Sequence, residues 1–253
     1  MNDEAGATKG AVVVVSGPGG RLAAAVATRL AGDGYPVGII GPEGAEATAA
    51  GLVSAGGRAL GVTAEPSDRA ALDDALAGCA GLGTTAAVVL AFYPTSASRS
   101  RELVTLDDHE WDSLCEAPIR WCLVGLQSAY QWLSVSGGAI VVIVPTVSLI
   151  GAEGHVAATT SGETQRILAK SAARRWGTSG ITVNTVAVPL DTLADEAPGD
   201  PGVSAPLSLG PPALAAPDPA IGIASVVASL TGPLGGMVTG STICLDGGAV
   251  MAP

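Results

Sequence analysis

The sequence predicts an α/β fold, a single domain in which helices cover both faces of a parallel sheet. Three observations carry that expectation. Short β-rich runs alternate with helical patterns from residue 11 almost to the end of the 253-residue chain. Some runs, such as "TAAVVLAF", are apolar without interruption, as strands become when both sheet faces are covered. The run "AVVVV" passes through "SGPGGRLA" into an amphipathic helix, a strand–turn–helix setting in which helix N–H groups can meet a phosphate.

Taken in order, "AVVVVSG" (11–17) reads as the first strand, and "RLAAAVATRLAGDG" as a helix stopped at Gly34. "YPVGIIG" is a second strand, "EGAEATAAGLVSAGG" a helix and "RALGVTAE" a third strand. "SDRAALDDALAGCAGLG" opens on an N-cap pair and forms the next helix. After the strand "TAAVVLAF", residues 105–134 form a long helix with Thr105 or Asp107 as caps and Pro118 in its middle. "GGAIVVIVP" is a strand, "AATTSGETQRILAKSAARRWG" a helix and "ITVNTVAVP" a strand. Residues 189–219 hold eight of the seventeen prolines, which makes them loop or lid. A helix "PAIGIASVVASLTG" and a last strand in "STICLDGG" follow. This succession is a doubly wound sheet of the Rossmann type, one domain over 1–253 without internal repeats.

Composition narrows the function. The chain is 48% apolar and 14% charged, with a formal charge of −11, which speaks against nucleic acid as a partner. Cys79, Cys115, Cys122 and Cys244 show no Cys-x-x-Cys and no histidine at metal spacing, so no metal site is expected and the thiols read as reduced. The start "MNDEAGATKG" lacks a signal-peptide layout, and no apolar run is long enough for a membrane span. A cytoplasmic protein with no membrane partner is the expectation.

The pieces "SGPGGRLA", "HEWDSLCEAPI", "GGAIVVIVP", "GITVNTVAVP" and "VTGSTICLDGG", in this order and spacing, resemble the short-chain dehydrogenase/reductase family over essentially the whole length. The resemblance implies a seven-stranded parallel sheet and hydride exchange between NAD(P) and a carbonyl or alcohol. The family's cofactor loop is Thr-Gly-x-x-x-Gly-x-Gly. Ser16 and Gly17 match its opening, while Arg21 stands at the central glycine and Ala23 at the last. Only glycine lets the backbone approach a pyrophosphate closely, so Arg21 is a serious departure, unless Gly19 and Gly20 reshape the turn and Arg21 grips a phosphate. Glu65 lies where the family often has an adenine-contacting Asp, Gly41 near the place of the ribose-reading residue, and "LAFY" (90–93) at the family's Asn-Asn-Ala-Gly. Ser16, Gly17, Arg21 and Glu65 are thus the vestige of a cofactor site, and tight NAD(P) binding by this chain is not expected.

The family's Asn–Ser–Tyr–Lys tetrad lets a tyrosine of lowered pKa exchange the proton. Its four positions fall on Pro118, Pro145, Ala158 and Gly162, or, with a one-residue slip, on Thr146, Thr159 and Glu163 for the last three. No Tyr-x-x-x-Lys occurs in the chain. Pro118 would preserve a helix kink without chemistry.

Two functions remain open. The first is a catalytically empty subunit paired with an active short-chain reductase that carries NAD(P), in a mixed tetramer. Family members associate through the long helices and the last strand, and here Trp111, Leu114, Cys115, Cys122, Leu126, Tyr130 and Leu133, with Trp121 and Trp132, give the long helix more apolar surface than the sheet needs. The combination is similar to the inactive short-chain-reductase subunit of aminocoumarin-antibiotic pathways, where the active partner oxidises a β-hydroxytyrosyl group on a carrier protein to the β-keto form. That implies a carrier protein as a further partner. The second is a repurposed non-redox enzyme (cyclase, lyase or dehydratase) using His155 with Glu153 or Glu163 as general base. His109, Asp107 and Asp108 read as surface residues of a helix start, Tyr93 as filler of vacated cofactor space, and Asp246 as structural.

Overall fold

In the computed structural model, residues 9–18, 20–94, 99–193, 212–214, 218–232 and 234–251 are described. Seven parallel strands, β1 (Ala11–Ser16), β2 (Val37–Gly41), β3 (Ala59–Thr63), β4 (Thr85–Ala91), β5 (Gly138–Pro145), β6 (Ile181–Val188) and β7 (Thr242–Cys244), are ordered β3-β2-β1-β4-β5-β6-β7. The order reverses between β1 and β4, and the crevice above their carboxyl ends is where an open α/β sheet places a ligand. The seven-stranded, doubly wound single domain is as the sequence predicts.

Helices α1 (Arg21–Gly32), α2 (Ala45–Ser54), α3 (Arg69–Gly78), α4 (Asp108–Trp111), α5 (Ala117–Leu133), α6 (Val156–Trp176) and α7 (Pro219–Leu230) connect the strands. Two apolar cores form, one on each sheet face. Val12, Val14, Val26, Leu30 and Val227 lie in one; Val13, Val15, Leu72, Leu126 and Leu133 lie in the other. Because successive side chains of a strand point to opposite faces, an uninterrupted apolar run serves both cores at once.

Local sequence explains the helix starts. Asp68 caps α3 by accepting from the N–H groups of Ala70 and Ala71, while Ser67, the other half of the expected pair, donates to Glu65 instead. Asp107, not Thr105, caps α4 through the Glu110 N–H at 2.8 Å. The predicted long helix is not one regular helix. A five-residue π segment (Asp112–Glu116) lies between α4 and α5 within one unbroken helical run, and Pro118 stands just beyond it, near the middle of that run as predicted. Pro118 has no N–H to give the preceding turn, and the wide π turn directly precedes the place where that bond is missing. Of the predicted lid, only Pro189–Leu193, residues 212–214 and the Asp218–Pro219 helix start fall within the described residues. Asp246 is buried and accepts from the N–H groups of Gly248 and Val250, a structural role as expected.

The interface expectation for the long helix needs correction. Leu114, Cys115, Cys122, Leu126 and Leu133 are buried in the domain's own cores, and Trp121 is turned inward with them. Trp132 donates its indole N–H to Thr85 Oγ1 at 3.0 Å. The apolar spacing was that of a helix lying on a sheet. What α5 leaves to solvent is Leu123, 42% exposed, and Tyr130, 36% exposed.

Candidate functional site

The crevice is built from the β1–α1 turn and the segment after β4. Ser16 ends β1 buried, with its hydroxyl 3.4 Å from the Ile40 carbonyl. A Cβ on Gly41 would meet that hydroxyl, so no ribose-reading side chain fits at this point of β2 as packed. Gly17 follows, bonded to the Ala91 carbonyl at 3.2 Å, and a Cβ on it would stand 3.2 Å from the Trp121 ring. Gly20 takes the left-handed conformation (φ +65°) as N-cap of α1, and Arg21 is the first, exposed residue of that helix. Gly19 lies outside the described residues. Glu65 is exposed at the end of β3 and accepts from the Ser67 hydroxyl.

After β4, Phe92 and Tyr93 point to opposite sides of the sheet, as consecutive extended residues do. Phe92 is fully buried among Leu90, Trp121, Cys122 and Leu126, and Gly125 makes the room: a Cβ there would stand 2.7 Å from the Phe92 ring. Tyr93 is buried in the other core, beside Leu114 and Cys115. Among the described residues its hydroxyl has no hydrogen-bond partner, and burial, reinforced by Cys115, pushes its pKa well above the ordinary phenol range. A small pocket of about 20 Å³ lies between Arg21, Ala23, Ala91, Tyr93 and Leu193, at the β1–α1 turn.

The four tetrad positions are apolar and closely packed. Pro118 is buried at the start of α5, and Pro145 ends β5, also buried. Ala158 and Gly162 lie a turn apart on the buried face of α6. A Cβ on Gly162 would stand 2.8 Å from the Ser148 Cβ and 3.2 Å from Pro145 Cδ, so the helix sits directly on the β5–α6 connection. In the slipped register, Thr146 is buried, Thr159 is buried with its hydroxyl on the Val156 carbonyl, and Glu163 is held by Arg166 Nε at 2.8 Å. Neither register brings a phenol or an ammonium to this place.

His155 is buried just before α6, its Nδ1 without a partner among the described residues, and burial lowers its pKa below the ordinary 6.5. The structure does not assemble it with the proposed carboxylates. Glu153 is exposed, Glu163 is engaged by Arg166 and by the Ser148 hydroxyl at 3.4 Å, and no carboxylate contributes to the His155 shift. Cys79, Cys115 and Cys122 are buried free thiols, the first two pushed up to about 11 by burial. Among the described residues no group of side chains could hold a metal, and no helix is long and apolar enough to cross a membrane.

Two polar residues here escaped the sequence reading. Ser148 is the hydroxyl nearest the Pro145–Gly162 contact, donating to the Pro145 carbonyl at 2.8 Å. Gln165 is fully buried on α6, and neither end of its amide has a partner among the described residues. The 3–4 spacing of Ala158, Gly162, Gln165, Ala169 and Ala172 marks the buried stripe, and Gln165 is its one large polar member.

The fold, with its β1–α1 turn at the β1/β4 reversal, defines a nucleotide-type α/β domain, and its relatives identify the class. Residues 20–250 match the family described as enoyl-(acyl carrier protein) reductase, and the chain belongs to the short-chain dehydrogenase/reductase family. The short-chain reductase protein NovJ of Streptomyces niveus is 26% identical, covering 97% of this chain and 96% of that protein. D-threitol dehydrogenase of Mycolicibacterium smegmatis is 27% identical over 94% and 92%. Among solved structures, a short-chain dehydrogenase of Burkholderia cenocepacia in complex with NADP superimposes with a TM-score of 0.75 at 27% identity, covering 96% of this chain and 98% of that one.

Proposed function

We propose that this chain is a non-catalytic subunit of the family, paired in a mixed tetramer with an active NAD(P)-dependent short-chain reductase or dehydrogenase. The pair would act in antibiotic or similar secondary metabolism on a β-hydroxy or β-keto group of a carrier-tethered substrate. One observation carries the reading: the positions for proton transfer hold Pro118, Pro145, Ala158 and Gly162, none of which can exchange a proton. Arg21 at the β1–α1 turn and Gly41 packed on the Ser16 hydroxyl do not supply a dinucleotide's usual pyrophosphate turn and ribose contact. No hydride step is therefore assigned to this chain, and the cofactor belongs to the partner. The near full-length similarity to the Streptomyces niveus reductase supports the setting.

The lone chain is expected to give no NAD(P)H-dependent change at 340 nm. General acid–base help alone is worth roughly 10²–10⁴-fold, and positioning more. Co-expression with a homologous reductase that keeps Tyr-x-x-x-Lys should recover both chains in equal amount, and omitting this chain should lower the partner's solubility or activity. Turnover by the lone chain at ordinary family rates, or a partner soluble and fully active alone that never co-purifies, contradicts the proposal.

A second reading, a non-redox acid–base enzyme, is favoured by the buried, unpartnered Nδ1 of His155 alone. It requires that His155→Ala abolish an activity on a carbonyl or alcohol substrate without lowering the melting temperature.

A further inference from the structure

A cavity of about 470 Å³ opens at the amino ends of the strands, on the side of the sheet opposite the crevice. Its volume lies within the range of small-molecule sites, about 300–1,000 Å³. Three strand starts meet there: the Val12 N–H donates to the Pro36 carbonyl and the Val37 N–H to the Arg58 carbonyl, both at 2.9 Å. Lys9, just ahead of β1, and Arg58, just ahead of β3, both line the cavity with Gly34, Tyr35, Gly56 and Gly57. β2 lies between these two strands, so their backbones are about 10 Å apart. Two long side chains span that gap and face one ligand.

Within a protein of charge −11 this cavity is positive, and no acidic side chain lines it. Lys9 Nζ donates to the Asp33 main-chain carbonyl at 2.6 Å and stands 4.3 Å from the centroid of the buried Tyr35 ring. The Asp33 carboxylate is turned to Arg29 instead, 3.1 Å from its Nε. Arg58 Nη2 donates to the Leu82 carbonyl at 3.1 Å. Among the described residues neither cation makes an ion pair, and each keeps further N–H groups for a ligand. α1 and α2 end at this cavity and oppose the charge with about half a negative charge each, which leaves about one positive charge from the two cations. Gly34 (φ +84°) and Gly56 (φ +89°) turn the chain out of these helices, and a Cβ on either would meet nothing within 4 Å. The left-handed turn, not packing, asks for glycine there, and it leaves two walls without side chains.

We propose that this cavity binds a small phosphate monoester, with the phosphate between Lys9 and Arg58 and the organic part against Tyr35 and Pro36. The site lies apart from the crevice and does not depend on the mixed-assembly reading. A phosphate monoester carries about −1.5 to −2 charge at neutral pH and presents three acceptor oxygens. It can therefore meet two cations that approach from different strands, one of them through the two-pronged guanidinium. A carboxylate has one charge and two oxygens in a single plane, and satisfies one of the two cations. The cavity takes a one-ring monoester whole.

Phenyl phosphate is the probe, titrated into the full chain at low salt beside phenol and benzoate. Calorimetry reads the affinity, and heteronuclear NMR reads the backbone amides of Gly34, Gly56 and Gly57. Phenyl phosphate is expected to saturate, to move those three amides, and to bind about tenfold more tightly than benzoate or phenol. Lys9→Gln and Arg58→Gln should each weaken it about tenfold. Arg174→Gln/Arg175→Gln, which removes two exposed cations at the end of α6, should leave it unchanged. No saturation, saturation that leaves the three glycine amides unmoved, or benzoate binding as tightly overturns the proposal. An equal loss in Arg174→Gln/Arg175→Gln also overturns it, because the anion would then follow the charge of the chain and not this cavity. Should a cavity variant lose native helix content, the wild-type titration decides alone, through the glycine shifts and the preference over benzoate.

Discussion

Replacing Tyr93 by phenylalanine isolates the atom that separates a filler from a catalytic phenol. Tyr93 is 6% exposed, and its hydroxyl lies in the apolar core beside Leu114 and Cys115 without a partner. A buried hydroxyl left unsatisfied costs about 1–3 kcal/mol, which Phe removes. The void left by one oxygen next to a space of about 20 Å³ takes back part of this. Tyr93→Phe is therefore expected to stabilise by about 1 kcal/mol, raising the melting temperature by about 2–4 °C for a chain of this size. Tyr93→Ala removes the ring as well and should destabilise by about 3–5 kcal/mol, the range for emptying a large aromatic site. Thermal unfolding followed by circular dichroism, with a urea titration at fixed pH, measures both. A fall in stability with Tyr93→Phe refutes the reasoning, because the hydroxyl then has a partner and the side chain is more than packing.

Gly125→Ala gains about 1 kcal/mol of helix propensity but drives a methyl into Phe92, an overpacking worth about 1–3 kcal/mol, so a net loss near 1 kcal/mol is expected in urea melts. Adding Phe92→Leu should make Gly125→Ala less harmful than in the wild type; additive effects would deny the contact. His155 makes stability pH-dependent. Its folded pKa lies below the unfolded 6.5, so the unfolded chain binds the extra proton, and the contribution is complete above 6.5 and lost as pH falls toward the folded value. His155→Leu should flatten the fall in melting temperature below pH 6.5, and an unchanged slope would show that another group causes it.

The sheet was legible because a strand buried on both faces must be apolar without break, as in "AVVVV" and "AIVVIV", and a helix on such a sheet must alternate at 3.6. The same signal misled at the long helix. Trp121 and Leu126 have the spacing of an interface anchor and of a core residue alike, and only the position of Gly17 and Phe92 across from them decides for the core. The π segment was not read from the sequence: the missing N–H of Pro118 marks a gap in the regular ladder there but not its π form. At the site, the departures at Arg21, Phe92–Tyr93 and the tetrad positions could be read directly. The opposite directions of Phe92 and Tyr93, the pairing of Glu163 with Arg166 and the isolation of His155 could not, because they depend on contacts between residues distant in sequence or on side-chain choice.

The proposed pairing requires that this chain keep a short-chain reductase fold without holding the cofactor. Calorimetric titration of the purified chain with NADP⁺ and NADPH, and with NAD⁺ and NADH, tests it most directly. No saturable heat at millimolar nucleotide is the expected result. Micromolar binding would contradict it, and if Arg21→Gly weakened that binding, Arg21 would be a phosphate ligand rather than an obstruction.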